Sequence, residues 1–135
     1  MSLSNDFPEA EYQHYASLTV DERQRLIQDE TQPVAVRALC AYLQGRHCAD
    51  DQHYKEAIAW YSQATSLKPD YYLAWCDLAD ALKRLGRYQE AVESCDRALE
   101  IWSDGYAAWN HRGIALYHLE QYEAAVESYQ QAVKI

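Results

Sequence analysis

The sequence is poor in the residues that interrupt helices. Its 135 residues include four glycines and three prolines, and both residue types are disfavoured inside helices. No run approaches the roughly 20 apolar residues that a membrane-spanning helix requires. The first 30 residues contain no apolar segment of the kind found in signal peptides. We therefore expect a helical, cytoplasmic protein without a membrane partner.

Basic residues are also in the minority. Twelve lysines and arginines stand against 21 aspartates and glutamates, which gives a formal net charge of -9. Because a surface this acidic repels the phosphate backbone of nucleic acids, we expect no nucleic-acid partner.

The motifs of several enzyme classes are missing. The sequence contains no glycine-rich phosphate loop and no G-x-S-x-G motif. His47, Cys48 and His53 form one short cluster, but zinc sites usually present paired ligands at close spacing, and no second pair is found. His111 and His118 share a helix face without an acidic residue at the spacing of zinc proteases. We expect no catalytic residue, no metal and no cofactor, and keep a thiol- or metal-dependent enzyme as a remote alternative.

The four cysteines do not form a disulfide pattern. Cys40, Cys48, Cys76 and Cys95 each lie within a helical pattern, and no two of them are closely spaced. Such residues are usually reduced and buried as small apolar side chains. Cys48 is expected in the core, since it shares a register with Leu82 and Leu116.

A period of 34 residues organises the rest of the sequence. The aligned columns are Tyr54, Tyr88 and Tyr122; Ala57, Ala91 and Ala125; Ala64, Ala98 and Ala132; Gly45, Ala79 and Gly113; and Trp75 with Trp109. Three units follow, at 38–71, 72–105 and 106–135. Apolar residues at three- and four-residue steps predict two helices in each unit. The predicted helices are 33–47, 54–67, 71–84, 88–101, 105–118 and 122–134.

These columns resemble the tetratricopeptide repeat. The similarity rests on Trp75, Leu78, Ala79 and Leu82, on Ala91, Cys95 and Ala98, and on Pro69. The segment 109–113, Trp-Asn-His-Arg-Gly, is similar to a variant that is frequent in bacterial arrays, cyanobacterial ones included. The resemblance implies an all-α fold, a right-handed α-solenoid of three helix-turn-helix hairpins. Gln52 and Glu120 depart from the family pattern, in which glycine usually joins the two helices, and Arg112 replaces a core leucine.

The segment 1–37 does not follow the repeat. Pro8 and Glu9 are expected to open one helix, because proline is tolerated in the first turn. Thr19 and Glu22 have the spacing of a capping box for a second helix that runs to about Glu30. We expect this segment to be a helical cap over the first repeat, since repeat arrays need their ends covered. The alternative is a regulatory arm that folds into the groove.

The resemblance also implies a function and a surface. In this family the first helix of each hairpin lines a concave groove that binds a peptide segment or a partner protein. Carried over position by position, the groove residues are Tyr42, Arg46, Asp50, Cys76, Asp80, Lys83, Arg84, Asn110, Ile114, Tyr117 and His118. The positions that hold chaperone carboxylates in related clamps are largely not cationic here, and Asp77 would repel a carboxylate. We therefore expect a scaffold with a partner other than a chaperone tail.

Two further expectations concern a longer protein that could contain this chain and the contacts of its last helix. One alternative function is a regulatory or targeting region of a longer protein whose catalytic domain lies outside this chain. The last predicted helix carries an apolar stripe that includes Val126, Tyr129 and Val133. Because such a stripe usually marks an interface, we expect either a homodimer through this end or a continuation of the array.

Overall fold

The computed structural model describes residues 7–135, which form eight α-helices and no β-strand. The helices are α1 Glu9–Ala16, α2 Val20–Gln28, α3 Val34–Asp50, α4 Tyr54–Leu67, α5 Tyr72–Arg84, α6 Tyr88–Ile101, α7 Tyr106–His118 and α8 Tyr122–Lys134. None of the helices in this range is long and apolar enough to cross a membrane. The prediction of an all-α fold is confirmed. The largest difference in the repeat region is α3, which extends three residues beyond its predicted end at 47.

The helices after residue 33 stack as successive hairpins. Each of α3 to α7 packs on the next helix along the chain. The first helices of the hairpins also touch one another, α3 on α5 and α5 on α7. An inner layer of α3, α5 and α7 is therefore backed by an outer layer of α4, α6 and α8. This arrangement is a helical solenoid.

Small side chains allow these layers to come close. Ala57, Ala64, Ala91 and Ala98 have no solvent-exposed surface, as their repeat register predicts. A larger side chain at such a position forces neighbouring side chains out of their preferred rotamers. The alanine columns therefore set the spacing between helices.

The turn inside each hairpin ends its first helix with a left-handed residue. Gln52, Gly86 and Glu120 have φ angles of 63°, 75° and 63°. The amide of the following residue closes the turn in each case, as when His53 N–H donates to the Cys48 carbonyl at 2.8 Å. Only glycine adopts this conformation without steric cost. Gln52 and Glu120 therefore adopt the same turn geometry as Gly86 at a cost in strain.

Arg112 remains polar in a core register because its charge is satisfied. Its Nε donates to Asp96 Oδ1 at 2.8 Å, and one terminal nitrogen donates to Ser128 Oγ at 2.8 Å. The guanidinium also lies 5.9 Å from the centre of the Trp109 ring. Hydrogen bonds from Arg112 on α7 to α6 and α8 thus take the place of the apolar packing that a leucine would provide at this position.

The helix α2 is fixed to the array by one buried arginine. Thr19 and Glu22 form the predicted capping box, although α2 ends at Gln28 and not at Glu30. Arg23 is 6% exposed, and its Nε donates to Gln44 Oε1 on α3 at 2.8 Å. Its Nη1 donates to the carbonyls at the end of α1 and just after it, of which Leu18 is the nearest at 2.7 Å. One guanidinium therefore joins α1, α2 and α3.

The helix α1 lies against α3. None of its residues is fully buried, but Tyr12 and Tyr15 pack against the core, as does Phe7 just before the helix. The Phe7 ring meets that of Tyr71 edge-on at 5.9 Å. Residues 1–6 of the predicted cap fall outside the described range.

The cysteines are free thiols with different burial. Cys40, Cys76 and Cys95 are buried, but Cys48 is only partly buried, so its predicted core position is wrong in part. Cys48 lies near the end of α3 and packs against the edge of the core, followed by the partly buried Ala49 and the exposed Asp50. Burial raises the pKa of Cys40 to about 11 and that of Cys76 to about 12. Because the thiolate is the reactive form, these two thiols are unreactive near neutral pH.

Candidate functional site

A pocket opens on the inner layer between α3 and α5. Its volume is 440 Å³, and we call it the α3–α5 pocket. It is lined by Tyr42, Arg46, Ala49, Asp50, Tyr54, Tyr61, Leu73, Asp77, Asp80, Ala81 and Arg84. Charged and aromatic side chains predominate, and this mixture suits recognition of a polar peptide more than of an apolar ligand.

A hydrogen bond between the first two repeats forms one wall of the pocket. Tyr42 on α3 donates its hydroxyl hydrogen to Asp77 Oδ2 on α5, at 2.5 Å. Burial raises the pKa of Asp77, while this hydrogen bond and the charge of Arg46 oppose the increase. Burial also raises the pKa of Tyr42. The phenol therefore stays protonated and acts as the donor.

Arg46 supplies a positive charge beside this hydrogen bond. Its side chain is exposed. Tyr42 is the largest influence on the pKa of Arg46 and raises it. Burial lowers this pKa, and the charge of Asp77 raises it further. The charges of Arg46 and Asp77 therefore attract each other at this wall of the pocket.

The opposite rim of the pocket is a small ion-pair network on α5. Asp80 Oδ1 lies 3.6 Å from Lys83 Nζ and 3.7 Å from Arg84 Nε. The Lys83 side chain is 12% exposed and that of Arg84 is 58% exposed. Arg84 also lies 5.8 Å from the centre of the Tyr54 ring. The pocket thus already holds one cation against an aromatic ring.

The structure brings five of the predicted groove residues together. Tyr42, Arg46, Asp50, Asp80 and Arg84 all line the α3–α5 pocket. Their convergence results from the packing of α3 against α5, which places equivalent positions of two repeats side by side.

The other predicted groove residues lie elsewhere. Cys76 is 2% exposed and packs with the buried residues Tyr72, Ala98 and Ala108. Its prediction as a groove residue is therefore corrected, because it is buried between α5, α6 and α7. Lys83 borders the pocket only through Asp80.

The third hairpin, formed by α7 and α8, contributes no residue to the pocket. Its predicted residues are Asn110, Ile114, Tyr117 and His118, and none of them lines the α3–α5 pocket. Tyr117 is 56% exposed, and His118 stacks on Tyr88 with ring centres 4.5 Å apart.

Among the polar and aromatic residues that line the pocket, three were not among the predicted groove residues. Tyr54 and Tyr61 belong to the periodic columns, which made them look like packing residues alone. Asp77 stands one position after Cys76, and its pairing with Tyr42 spans 35 residues. The sequence feature that could have identified Asp77 as a pocket residue is its charge, because it stands within an otherwise apolar helix segment.

Burial raises the pKa of all four cysteines. No group of three or more His, Cys, Asp or Glu side chains between residues 7 and 135 is placed to hold a metal ion. The α3–α5 pocket can instead bind a ligand by ion pairs, hydrogen bonds and aromatic contact.

A stack of helical hairpins with a polar pocket on its inner layer defines a class, the helical repeat scaffolds that act in protein interactions. Two family models identify the member of that class. The model described as tetratricopeptide repeat matches residues 70–135, and the model described as TPR repeat matches residues 45–86. The chain belongs to the tetratricopeptide-repeat family. No match is found among curated protein sequences.

Solved structures agree with this assignment. The first TPR of Spaghetti (RPAP3), bound to the HSP90 peptide SRMEEVD, is 25% identical with a TM-score of 0.71, covering 72% of this chain and 77% of that one. The Arabidopsis OM64 TPR domain is 22% identical with a TM-score of 0.74, over 75% of this chain and 84% of that one. MamA is 19% identical with a TM-score of 0.75, over 85% of this chain and 65% of that one. The last two similarities concern the fold alone.

Proposed function

We propose that this protein is a scaffold that binds a peptide segment of a partner protein on the inner layer of its repeats, with the α3–α5 pocket as the main contact. The observation that carries this proposal is the convergence of five predicted groove residues on one open pocket. A related structure binds a peptide, since the first TPR of Spaghetti is described with SRMEEVD bound. We propose no catalytic role.

The organisation that accompanies this function is also a proposal. Residues 1–37 would act as a cap, and residues 38–135 as three repeats, 38–71, 72–105 and 106–135. A cytoplasmic location is supported by four free cysteines, because thiols persist in reducing compartments. The alternative of a regulatory region within a longer protein is equally compatible with a peptide-binding groove.

The apolar face of α8 supports the prediction of a contact at this end of the array. Val126 is 52% exposed and Val133 85% exposed, whereas Val92, the equivalent of Val126 on α6, is 6% exposed. The difference arises because α7 packs on α6. We propose that a second copy of the chain covers this face. Sedimentation at micromolar concentration tests it, since a Val133→Glu variant should lower the sedimentation coefficient if a dimer forms.

A steric variant tests the proposed groove without changing any charge. Ala49 lines the α3–α5 pocket, and Ala49→Trp should fill it. The probe is a library of random heptapeptides with acetylated and amidated ends. We expect binding of the selected peptides to fall at least about tenfold, a loss of about 1.4 kcal/mol.

The matched control is Ala59→Trp. Ala59 is exposed on α4, outside the α3–α5 pocket, so this variant should bind like the parent. Circular dichroism should show equal helicity in both variants. Undiminished binding by a folded Ala49→Trp variant would place the peptide site elsewhere on the protein.

A further inference from the structure

We propose that the α3–α5 pocket selects a peptide with a lysine or arginine side chain at the position that enters the pocket. This inference rests on the proposed peptide-binding function and adds the chemical class of the partner.

The first argument is the balance of charge along the pocket wall. Three carboxylates, Asp50, Asp77 and Asp80, line the pocket together with two guanidinium groups, and the ammonium group of Lys83 pairs with Asp80 at the rim. The whole chain carries a net charge of -9. Since the charges of the pocket and its rim balance, the charge of the whole protein decides which ligands approach it, and an acidic protein attracts cationic ligands and repels acidic ones.

The second argument is that the exposed cation of α5 is already paired, whereas one carboxylate of the pocket is not. The Arg84 guanidinium lies beside Asp80 and the Tyr54 ring, so a ligand carboxylate would have to compete with these partners for it. Arg46 forms no salt bridge among residues 7–135, but the charge of Asp77 acts on it. The carboxylate of Asp50 is exposed, and the structure of residues 7–135 shows no salt bridge to it. A ligand cation therefore has an unoccupied partner.

The third argument comes from the buried wall of the pocket. Tyr61 is 2% exposed and lines the pocket. Burial is the main cause of the raised pKa of Tyr61. The charges of Asp77, Asp50 and Asp80 raise this pKa further, and the charge of Arg46 lowers it. Three carboxylates and one guanidinium that line the pocket therefore act on this phenol.

The fourth argument is aromatic. Tyr42, Tyr54 and Tyr61 line the same pocket, and their ring faces attract cations. The contact already exists once within the molecule, because the Arg84 guanidinium lies 5.8 Å from the Tyr54 ring centre. A ligand lysine or arginine would extend the same contact to the neighbouring rings.

Four peptide sets test the charge preference. They are random heptapeptides, capped at both ends, with lysine, arginine, norleucine or glutamate fixed at the central position. The peptide SRMEEVD, bound by the first TPR of Spaghetti, serves as an acidic reference. Binding to the full chain should be strongest for the lysine and arginine sets and weakest for glutamate and SRMEEVD, and should weaken as salt concentration increases.

Paired variants identify the responsible carboxylate. Asp50→Asn should weaken binding of the lysine and arginine sets by about two- to fivefold, as expected for a partly exposed ion pair. Asp51→Asn is the control, because Asp51 is the adjacent residue, exposed, and outside the pocket. It should leave binding unchanged.

The outcomes separate this inference from the proposed function. Glutamate or SRMEEVD binding more tightly, with Ala49→Trp still abolishing it, would overturn the charge preference and keep the peptide site. Equal binding of norleucine and lysine that is insensitive to Asp50→Asn would also overturn it. If no peptide binding depends on Ala49, the proposed groove fails and the inference fails with it.

Discussion

The ring of Tyr61 lies directly against the α-carbon of Gly45, so closely that a methyl group on Gly45 would come within 2.5 Å of ring carbon Cδ1. The third hairpin repeats this pairing, with Gly113 against Tyr129. In the second hairpin the same register holds Ala79 and Cys95. In each hairpin, the size of the residue at this position of the first helix is therefore complementary to that of its neighbour on the second helix: glycine pairs with tyrosine, and alanine pairs with cysteine.

Replacement of Gly45 by alanine should destabilise the protein, although alanine favours helices by about 1 kcal/mol. We expect the free energy of unfolding to fall by about 1–3 kcal/mol, because the Tyr61 ring must move. In a Tyr61→Cys background, which copies the pair of the second hairpin, Gly45→Ala should cost nothing. A double-mutant cycle measured by urea unfolding checks this, and equal effects in both backgrounds would disprove the size match.

Arg23 should hold the N-terminal helices to the repeats. Arg23→Met leaves Gln44 and the carbonyls after α1 without their donor, so we expect a loss of about 2–3 kcal/mol of stability. Hydrogen exchange should increase in α1 and α2 while α5 to α8 stay protected. Arg25→Met is the control, because Arg25 is exposed on the same helix. Unchanged exchange in α1 and α2 would show that apolar contacts suffice to hold them.

The two strained turns should be sites of stabilisation. Gln52 and Glu120 adopt φ angles of 63°, and a non-glycine residue there costs about 1–2 kcal/mol. Because glycine also loses more entropy on folding, we expect Gln52→Gly and Glu120→Gly each to raise the free energy of unfolding by about 0.5–1 kcal/mol. Gly86→Ala should have the opposite effect, although no atom lies within 4 Å of the added methyl group. Thermal melting of the three variants compares them, and a loss of stability at Gln52→Gly would contradict the strain argument.

His111 should make stability depend on pH. Its Nδ1 is buried and has no hydrogen-bond partner among residues 7–135. Burial and then Lys83 lower the pKa of His111, Asp80 raises it, and Arg84 lowers it further. The unfolded state therefore binds the proton more tightly, so the stabilising contribution is complete above about pH 6.5 and is lost as pH falls toward the folded pKa.

The variant His111→Leu should flatten this dependence between pH 7.5 and 5.5 and raise stability at the lower end. Leucine already occupies the equivalent position of the first repeat, Leu43. His53→Leu is a control at an exposed histidine. Denaturant unfolding at several pH values measures the slope. A slope unchanged by His111→Leu would assign the dependence to other groups.

The repeat region could be predicted from the sequence to within a few residues. The 34-residue period places Tyr54, Tyr88 and Tyr122 at the first residue of α4, α6 and α8, because the same local pattern recurs in each unit. The capping box of Thr19 was equally readable, since its partners are three residues apart. Signals of this kind are local, and local spacing is what a sequence states directly.

The candidate site depended on the tertiary structure. Register alone placed Cys76 in the groove, but the packing of α6 and α7 buries it with Ala98 and Ala108. The pairing of Tyr42 with Asp77 is invisible along the chain, because it requires α3 and α5 to stack at one particular offset.

The sequence by itself therefore determined the helices, their pairing into hairpins and the family. Periodic apolar residues specify which face of each helix is buried, whatever lies beyond it. Only the tertiary structure decided which charges meet on the inner layer. Asp50, Asp77 and Arg46 acquire their roles from the distances between side chains of successive repeats, and those distances are set by how the alanine columns and the Gly45–Tyr61 contact let the helices pack.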